Sequence, residues 1–575
     1  MIRLFKQAQL SKTQIALLLL FISLQMAGTL YLPALTANLI NNGVLTGDQD
    51  YVLRTGAIMI GVATLTGIVS IIGTYLSAEI ATTFARNTRE RLFTHIQTLS
   101  FQDYQKFKRS SLITRSTNDV EQLQSTLTMF FEMMIPAPFV IAIGLFLAYT
   151  KDPYMTLIIL ATSFLFIIML GLIVKAVFPL FHKVQKGLDK INDKVNQYIL
   201  GIRVIRAFNR SKLEQEQVNT AFTDLSKVNI KIYRLFATMM PVVYLGMSLA
   251  TVAILWFGGL RVSTGDMQVG DFVAIIQYAM FILMYLLMAI FVIIYLPRAK
   301  VCADRVLEVL EYKPEMTDGN LQPDTDSDMR LEFRDVNFCY QNAEKSVLHN
   351  LNFVCERGTI TAIIGSTGSG KSTIAKLIPR LLDVTGGEIL LSGINIRELP
   401  QQKLRQKIGF VSQSAFLFSG SIADNLRHGN KEASLEEMRH AAKVAQAIDF
   451  IDELEGGFDA AVAQGGKNFS GGQRQRLSIA RMLMKKPDIY VFDDSFSALD
   501  FKTDAALRTA LKEETREAIV IYVTQRISTV KEADQIIVID DGEIVGKGTH
   551  RELLQSCAVY LEIAKSQLSE EELGI

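Results

Sequence analysis

Cysteine is scarce in this chain: four thiols in 575 residues, at positions 302, 339, 355 and 557, with neither paired nor metal-ligand spacing. That excludes a disulfide-stapled scaffold and a structural zinc module, and it predicts reduced thiols in a cytosolic setting. Charge is thin too, 20% of residues with a net of +1, and nothing in it points to a nucleic-acid partner. Lys and Arg are absent from Asn41–Asp50, and Lys151 and Arg261 each stand alone between long apolar runs. No Ala-x-Ala site follows the opening Arg3, Lys6 and Lys12, and the apolar run after them is longer than a signal-peptide core, so an uncleaved membrane helix is expected. What is abundant is hydrophobicity: 49% of residues, concentrated before residue 300. That is too apolar for an ordinary soluble enzyme and too long for one domain.

Six runs approach the ~20 residues that cross ~30 Å of hydrocarbon. They are Ile15–Ile40, Val52–Leu76, Leu123–Ala148, Tyr154–Val177, Phe236–Leu260 and Phe272–Leu296. Basic residues crowd the second-to-third and fourth-to-fifth connections (Arg86, Arg89, Arg91, Lys106, Lys108, Arg109, Arg115; Lys183, Lys186, Lys190, Lys194, Arg203, Arg206, Arg210, Lys212). The positive-inside rule then predicts both termini and both long connections on the cytoplasmic side of a cell membrane. Those connections lack helix breakers over Ala81–Gln97 and Lys183–Val218, so the spans are expected to continue as helices into the cytoplasm, turning at Phe101–Lys108 and Ala207–Lys212. Glu132 is the one carboxylate well inside an apolar run, followed by Pro136 and Pro138. It reads equally as a functional group, either a counter-charge for a cationic substrate or a proton-sensitive gate, and as a packing residue hydrogen-bonded to a neighbouring span. Gln277 and Met284 join it as candidate substrate-cavity residues, beside a Met- and aromatic-rich stretch suited to a pliable apolar pocket. Trp256 reads as an interfacial anchor.

After residue 312 the composition changes. Residues 1–312 read as a six-helix membrane domain, 313–329 as an Asp-, Gly- and Pro-bearing linker, 330–566 as an α/β domain and 567–575 as a tail. The apolar run Ile360–Ile364 leads into Gly365-Ser366-Thr367-Gly368-Ser369-Gly370-Lys371-Ser372 and then a helix from Thr373. Strand, Gly-x-x-x-x-Gly-Lys-Ser and helix together predict the phosphate-binding loop of a nucleotide hydrolase. Backbone amides would face phosphate oxygens, Lys371 would reach the outer phosphates, and the Ser372 hydroxyl would ligate Mg²⁺. A second apolar strand, Ile489–Phe492, ends in Asp493, placed for the same magnesium. Tyr340, closing an early strand over Leu331–Tyr340, is positioned to stack on a purine.

Between the two nucleotide motifs stands Ser470-Gly471-Gly472-Gln473, ahead of Arg474-Gln475-Arg476-Leu477-Ser478. This run resembles the signature of ATP-binding cassette (ABC) ATPases. Gln413 matches the family's glutamine loop, a further magnesium contact. Ser497-Ala498-Leu499-Asp500 matches its dimer-contacting loop, and Tyr340 its adenine-stacking position. With six spans ahead of the cassette, the whole chain resembles an ABC exporter half-transporter. The resemblance implies that two chains pair, each ATP lying between one chain's phosphate loop and the other's signature.

Two positions depart from the family pattern. The residue after the magnesium carboxylate, a glutamate in the family, is Asp494, and the switch histidine is Gln525 in Val523-Thr524-Gln525-Arg526. Glutamine can hydrogen-bond a phosphate but cannot accept a proton as imidazole does. General-base roles contribute roughly 10²–10⁴-fold, so binding without fast hydrolysis is expected at this chain's own phosphate loop. The run Gln464-Gly465-Gly466-Lys467 also departs from the family's Glu-Arg-Gly. The expectation is a heterodimer: a second, different half-transporter supplies the catalytic groups, and the pair exports apolar or cationic small molecules. A lipid flippase and an ATP-gated channel or regulatory subunit are the alternatives.

Overall fold

The computed structural model describes residues 2–7, 10–321, 329–341 and 343–569. Residues 322–328 of the expected linker and 570–575 of the expected tail lie outside that set. The chain divides into two compact units: Met1–Thr98 with Phe107–Lys313, and Leu99–Lys106 with Pro314–Ile575.

The first unit is helical. Ser11 caps the first long helix, Lys12–Leu39, by accepting a hydrogen bond from the Gln14 N–H. The others are Gln49–Thr98, Arg109–Lys151, Pro153–Ala207, Ser211–Ser263 and Val269–Leu310. Among the described residues six helices are thus long and apolar enough to cross a membrane, and each of the six runs picked from the sequence falls within one of them, the first within Lys12–Val44. Gln49–Thr98 has 50 residues, which at ~1.5 Å each is more than twice the hydrocarbon thickness. The turn Phe208–Arg210 between the fourth and fifth helices falls inside the expected Ala207–Lys212.

Among the described residues three wide π turns interrupt this unit, at Ile40–Val44, Arg115–Asp119 and Phe130–Met134. The last has a local cause. Pro136 has no N–H to give the Glu132 carbonyl, and the ladder shifts one residue earlier, so that the Ile135 N–H bonds Phe130 O at 3.0 Å. At the far end of the spans Asp152 caps Pro153–Ala207, accepting from the Met155 N–H, and its other oxygen pairs with Arg261 at 2.9 Å. Lys151 pairs with Asp271 at 2.8 Å.

The second unit carries the strands. In chain order they are β1 Arg330–Phe338, β2 Leu348–Glu356, β3 Ile360–Gly365, β4 Gly386–Leu391, β5 Ile394–Asn395, β6 Ile408–Val411, β7 Gly420–Ser421, β8 Ala461–Val462, β9 Ile489–Asp493, β10 Ile519–Thr524, β11 Gln535–Asp540 and β12 Glu543–Gly548. An antiparallel sheet runs β2-β1-β4-β5; a second runs β12-β11-β3-β10-β9-β6, parallel except at β12. Every residue of β9 and β10 is buried, which is why both read as unbroken apolar runs rather than alternating ones. Residues 314–321, part of the expected linker, are tied to this unit: Thr317 O accepts from buried Arg380, and the Leu321 N–H bonds Glu398 O. Leu99–Lys106 belongs to the same unit and contains most of a short helix, Phe101–Phe107, within the expected contact segment Phe101–Lys108.

Candidate nucleotide site

Adjacent parallel strands put three loops at one sheet edge. β3 pairs with β10 and β10 with β9, with Thr524 opposite Ile364 and Val523 opposite Asp493. The carboxyl ends of such strands are where open α/β sheets hold ligands. The loop that follows Gly365 at the end of β3 carries Ser366–Gly370, that after β9 carries Asp494, and that after β10 carries Gln525. Together they line one cleft, with Thr367, Gly368, Gly370, Lys371, Ser372, Thr373, Gln413, Asp493, Asp494 and Gln525 on its walls. Val523 and Thr524, from the switch run, and Val347 complete it; Val347 alone did not stand out in the sequence, because a lone apolar residue beside a strand carries no motif.

The phosphate-loop shape depends on Gly370. Its φ is +97°, and a Cβ there would lie 2.6 Å from Leu348 Cδ2. Lys371 begins the helix Lys371–Leu377, and its Nζ donates to Gly365 O at 2.9 Å, Ser366 O at 2.6 Å and Ser369 Oγ at 3.3 Å. Burial pushes its pKa below the ordinary lysine value, while Asp494 and Asp493 pull it back up. Ser372 Oγ donates to Asp493 Oδ1 at 2.7 Å. Burial raises the Asp493 pKa against the opposing pull of that hydrogen bond and of Lys376 and Lys371, and neighbouring Asp494 pushes it further up.

Asp494 sits at φ +46°, in the left-handed region, with its N–H on Val523 O at 2.7 Å. Its carboxylate accepts from Gln413 Nε2 at 3.2 Å, which leaves the Gln413 carbonyl oxygen as a free acceptor. Gln525 Oε1 accepts from Thr367 Oγ1 at 3.2 Å, tying the loop after β10 to the phosphate loop. That loop has a second tether, absent from the sequence reading. Gln567, placed in the tail by composition, donates to Gln525 O at 2.7 Å and accepts from the Ile527 N–H at 2.9 Å. Leu568 packs against the hydrophobic core of the unit. Tyr340 falls two residues beyond the end of β1 rather than closing the strand; its hydroxyl lies 3.1 Å from Thr373 Oγ1 and its ring edge packs on Phe338.

Magnesium is tested by the donor set. Ser372 Oγ, Asp493 Oδ1 and the Gln413 amide are hard oxygen donors on one wall. No cluster of three His, Cys, Asp or Glu stands among the described residues to make an all-protein cage. A single carboxylate plus substrate phosphates is how Mg²⁺ is ordinarily held, so these residues fit it.

The signature run opens the helix Gly471–Leu483. Ser470 and Gln473 form a reciprocal capping box: Ser470 Oγ accepts from the Gln473 N–H, and Gln473 Oε1 accepts from the Ser470 N–H. Gln473, expected to act on a ligand, therefore has its side-chain oxygen engaged in the cap, while the Ser470 O–H proton stays free to donate. Ser470 and Gly471 are exposed, and a Cβ on Gly471 would meet nothing within 4 Å. Ser497 and Asp500, the expected dimer loop, are also locally engaged. Ser497 Oγ donates to Asp494 O, and Asp500 caps the helix Phe501–Glu514 by accepting from the Thr503 N–H, which lowers its pKa. Buried Gln475 donates to Ser412 O, joining the signature helix to the strand-end loop that carries Gln413.

In the helical unit, Glu132 lines a cleft with Gln25, Ser77 and Tyr285. Gln277 and Met284 do not line it: Gln277 is half-buried and Met284 is 45% exposed. Ser77 carried no signal in the sequence, since a lone serine in an apolar helix is unremarked until its neighbours are known.

Residues 15–287 match the ABC transporter transmembrane region and residues 348–497 the ABC transporter family. An uncharacterized ABC transporter ATP-binding protein of Mycobacterium tuberculosis (strain ATCC 25618 / H37Rv) is 40% identical over 558 residues, covering 96% of each chain. The chain belongs to the ABC transporter family. As an ABC exporter half-transporter it joins a multi-pass helical membrane domain to an ATP-binding cassette and is an ATP-hydrolysing transporter. The ATP-dependent lipid A-core flippase of Vibrio vulnificus (strain YJ016) is 27% identical over 570 residues, 99% of this chain and 97% of that one. The fold matches a bacterial Atm1-family ABC exporter solved with ATP bound, at TM-score 0.82 and 23% identity over 97% of this chain and 99% of the other.

Proposed function

We propose that this ABC exporter works as one half of a heterodimer, holding ATP on its own phosphate loop without hydrolysing it quickly and lending its signature to a different, fully active partner. The observation that carries the reading is the identity and engagement of two cleft residues. Asp494 is a methylene shorter than the family's glutamate, sits in a left-handed backbone conformation and is hydrogen-bonded to Gln413. Gln525 cannot take up a proton. Losing a general-base role costs roughly 10²–10⁴-fold in rate. Binding is expected to survive, because Lys371, the loop amides, Ser372, Asp493 and Tyr340 are retained. Mg²⁺ held by Ser372, Asp493 and Gln413 would neutralise phosphate charge. Ser470, Gly471 and Gly472 would meet the partner's ATP, with helix-terminal N–H groups and a free hydroxyl proton.

In this reading both termini lie in the cytoplasm of a cell-membrane transporter. ATP binding draws the cassettes together and turns the membrane cavity outward, and the cargo is an apolar or cationic small molecule. The purified chain alone should turn over ATP slowly. In the assembled pair, Asp494→Glu with Gln525→His should raise turnover at the Lys371 site; vigorous ATPase from the lone chain, or no rise in the double variant, would reject the proposal. A lipid cargo is the second reading, favoured by the full-length likeness to the Vibrio vulnificus flippase; a fluorescent-lipid translocation assay beside dye efflux separates the two.

A further inference from the structure

The cleft around Glu132 lies among four helices of the membrane unit and has a volume of about 170 Å³. A carboxylate in an apolar span has two bland explanations, an ion pair or a hydrogen bond to a neighbouring helix. Neither applies: among the described residues Glu132 makes no ion pair and no side-chain hydrogen bond. A second group points into the same space independently. Ser77 is 2% exposed, lines the cleft, and its Oγ has no hydrogen-bond partner. Leaving a buried hydroxyl unpaired is unfavourable, a cost that an incoming polar group would relieve. Gln25 and Tyr285 add two more polar ends, and Phe131 an aromatic ring.

Depth also bears on the occupant. From Glu132 to Lys151, whose pairing with Asp271 marks the opposite end of the spans, the helix rises about 28 Å at ~1.5 Å per residue. Glu132 therefore sits in the half of the hydrocarbon away from Lys151, within reach of an amphiphile's head group. Glu132 stands inside the π turn Phe130–Met134, is itself exposed in the single chain, and lines the cleft.

We propose that this cleft binds the cationic head of an ammonium-bearing amphiphile. Glu132 is the counter-charge, Ser77, Gln25 and Tyr285 are hydrogen-bonding partners, and Phe131 and Tyr285 present rings to the cation. The head could belong to a soluble alkylamine or to an amine-headed lipid. The inference rests on the exporter reading for the claim that the occupant is cargo, but its binding test needs no ATP hydrolysis, so the two proposals fail separately.

The test is equilibrium binding of radiolabelled dodecylammonium, whose head carries three N–H donors, to the assembled transporter in nanodiscs, with dodecanol as the neutral comparison. Glu132→Gln should weaken binding of the cation about tenfold and leave dodecanol competition unchanged. Equal cation affinity in the two proteins would overturn the assignment. If Glu132→Gln does not assemble, Ser77→Leu fills the cleft with bulk and should abolish cation binding; unchanged binding would again overturn it. The same wild-type-to-variant ratio measured in phosphatidylethanolamine and in phosphatidylglycerol discs separates the sources. A ratio reduced by phosphatidylethanolamine assigns the cleft to a lipid head, and an equal ratio to a soluble cation.

Discussion

Gly471 is the residue whose chemistry separates the fold from the function. A methyl group there would meet nothing in this chain, so Gly471→Ala should leave the thermal midpoint of the cassette nearly unchanged; on the heterodimer reading, in which a partner-bound phosphate would need that space, the pair should lose most of its ATP turnover. Gly370 behaves in the opposite way: its positive φ and its approach to Leu348 mean that Gly370→Ala should lower stability and nucleotide binding together. Thiol reactivity gives a second readout at this scale. Burial pushes the Cys355 pKa up to about 12, whereas Cys339 is half-exposed and stands next to Tyr340. The thiolate is the reactive form, so maleimide should label Cys339 in the native cassette and leave Cys355 untouched at neutral pH until unfolding. ATP should slow the labelling of Cys339 if its base lies on Tyr340. Rapid native labelling of Cys355, followed by mass spectrometry, would contradict the burial described here.

At the scale of elements, the ends of the membrane helices are set by a few charged side chains. Asp152 is 2% exposed, caps one helix and pairs with Arg261 on the next. Asp152→Ala should destabilise the membrane unit by about 1–2 kcal/mol, the loss of a cap plus a half-exposed ion pair, read as a lower unfolding temperature in detergent. Arg261→Lys, which keeps the charge but loses the second N–H contact, should cost less. Elements of this kind show where the sequence is readable. Spans, the phosphate loop and the Asp493 strand are local patterns of hydrophobicity and glycine, and all three appear in the fold where their periodicity placed them. The π turn at Glu132 was not read, although its cause, Pro136, is in plain sight. A proline missing one N–H can kink, end or widen a helix, and only the neighbouring packing selects among these outcomes. Gln473 was read as a ligand contact from its place in the signature, and its part in a capping box went unseen because both roles use the same residue type at the same position.

For the whole molecule, the heterodimer reading makes the two nucleotide surfaces of this chain unequal. Lys371→Ala should leave the assembled pair with most of its ATP turnover, whereas Ser470→Arg should remove nearly all of it. Equal losses would point to two equivalent sites. What sequence could not reveal at this scale is long-range: Gln567 is separated from the loop it grips by 42 positions, and Ser77 comes to line the same cleft as Glu132 only through the packing of separate helices. Neither contact leaves a pattern along the chain. The Gln567 grip has a practical corollary. A protease that clips after Ser566, or an affinity tag fused without a spacer, would release the backbone on either side of Arg526 while sparing every nucleotide motif. Loss of nucleotide affinity in such a shortened protein would register the missing Gln567 tether, and the blame would otherwise fall on the phosphate loop.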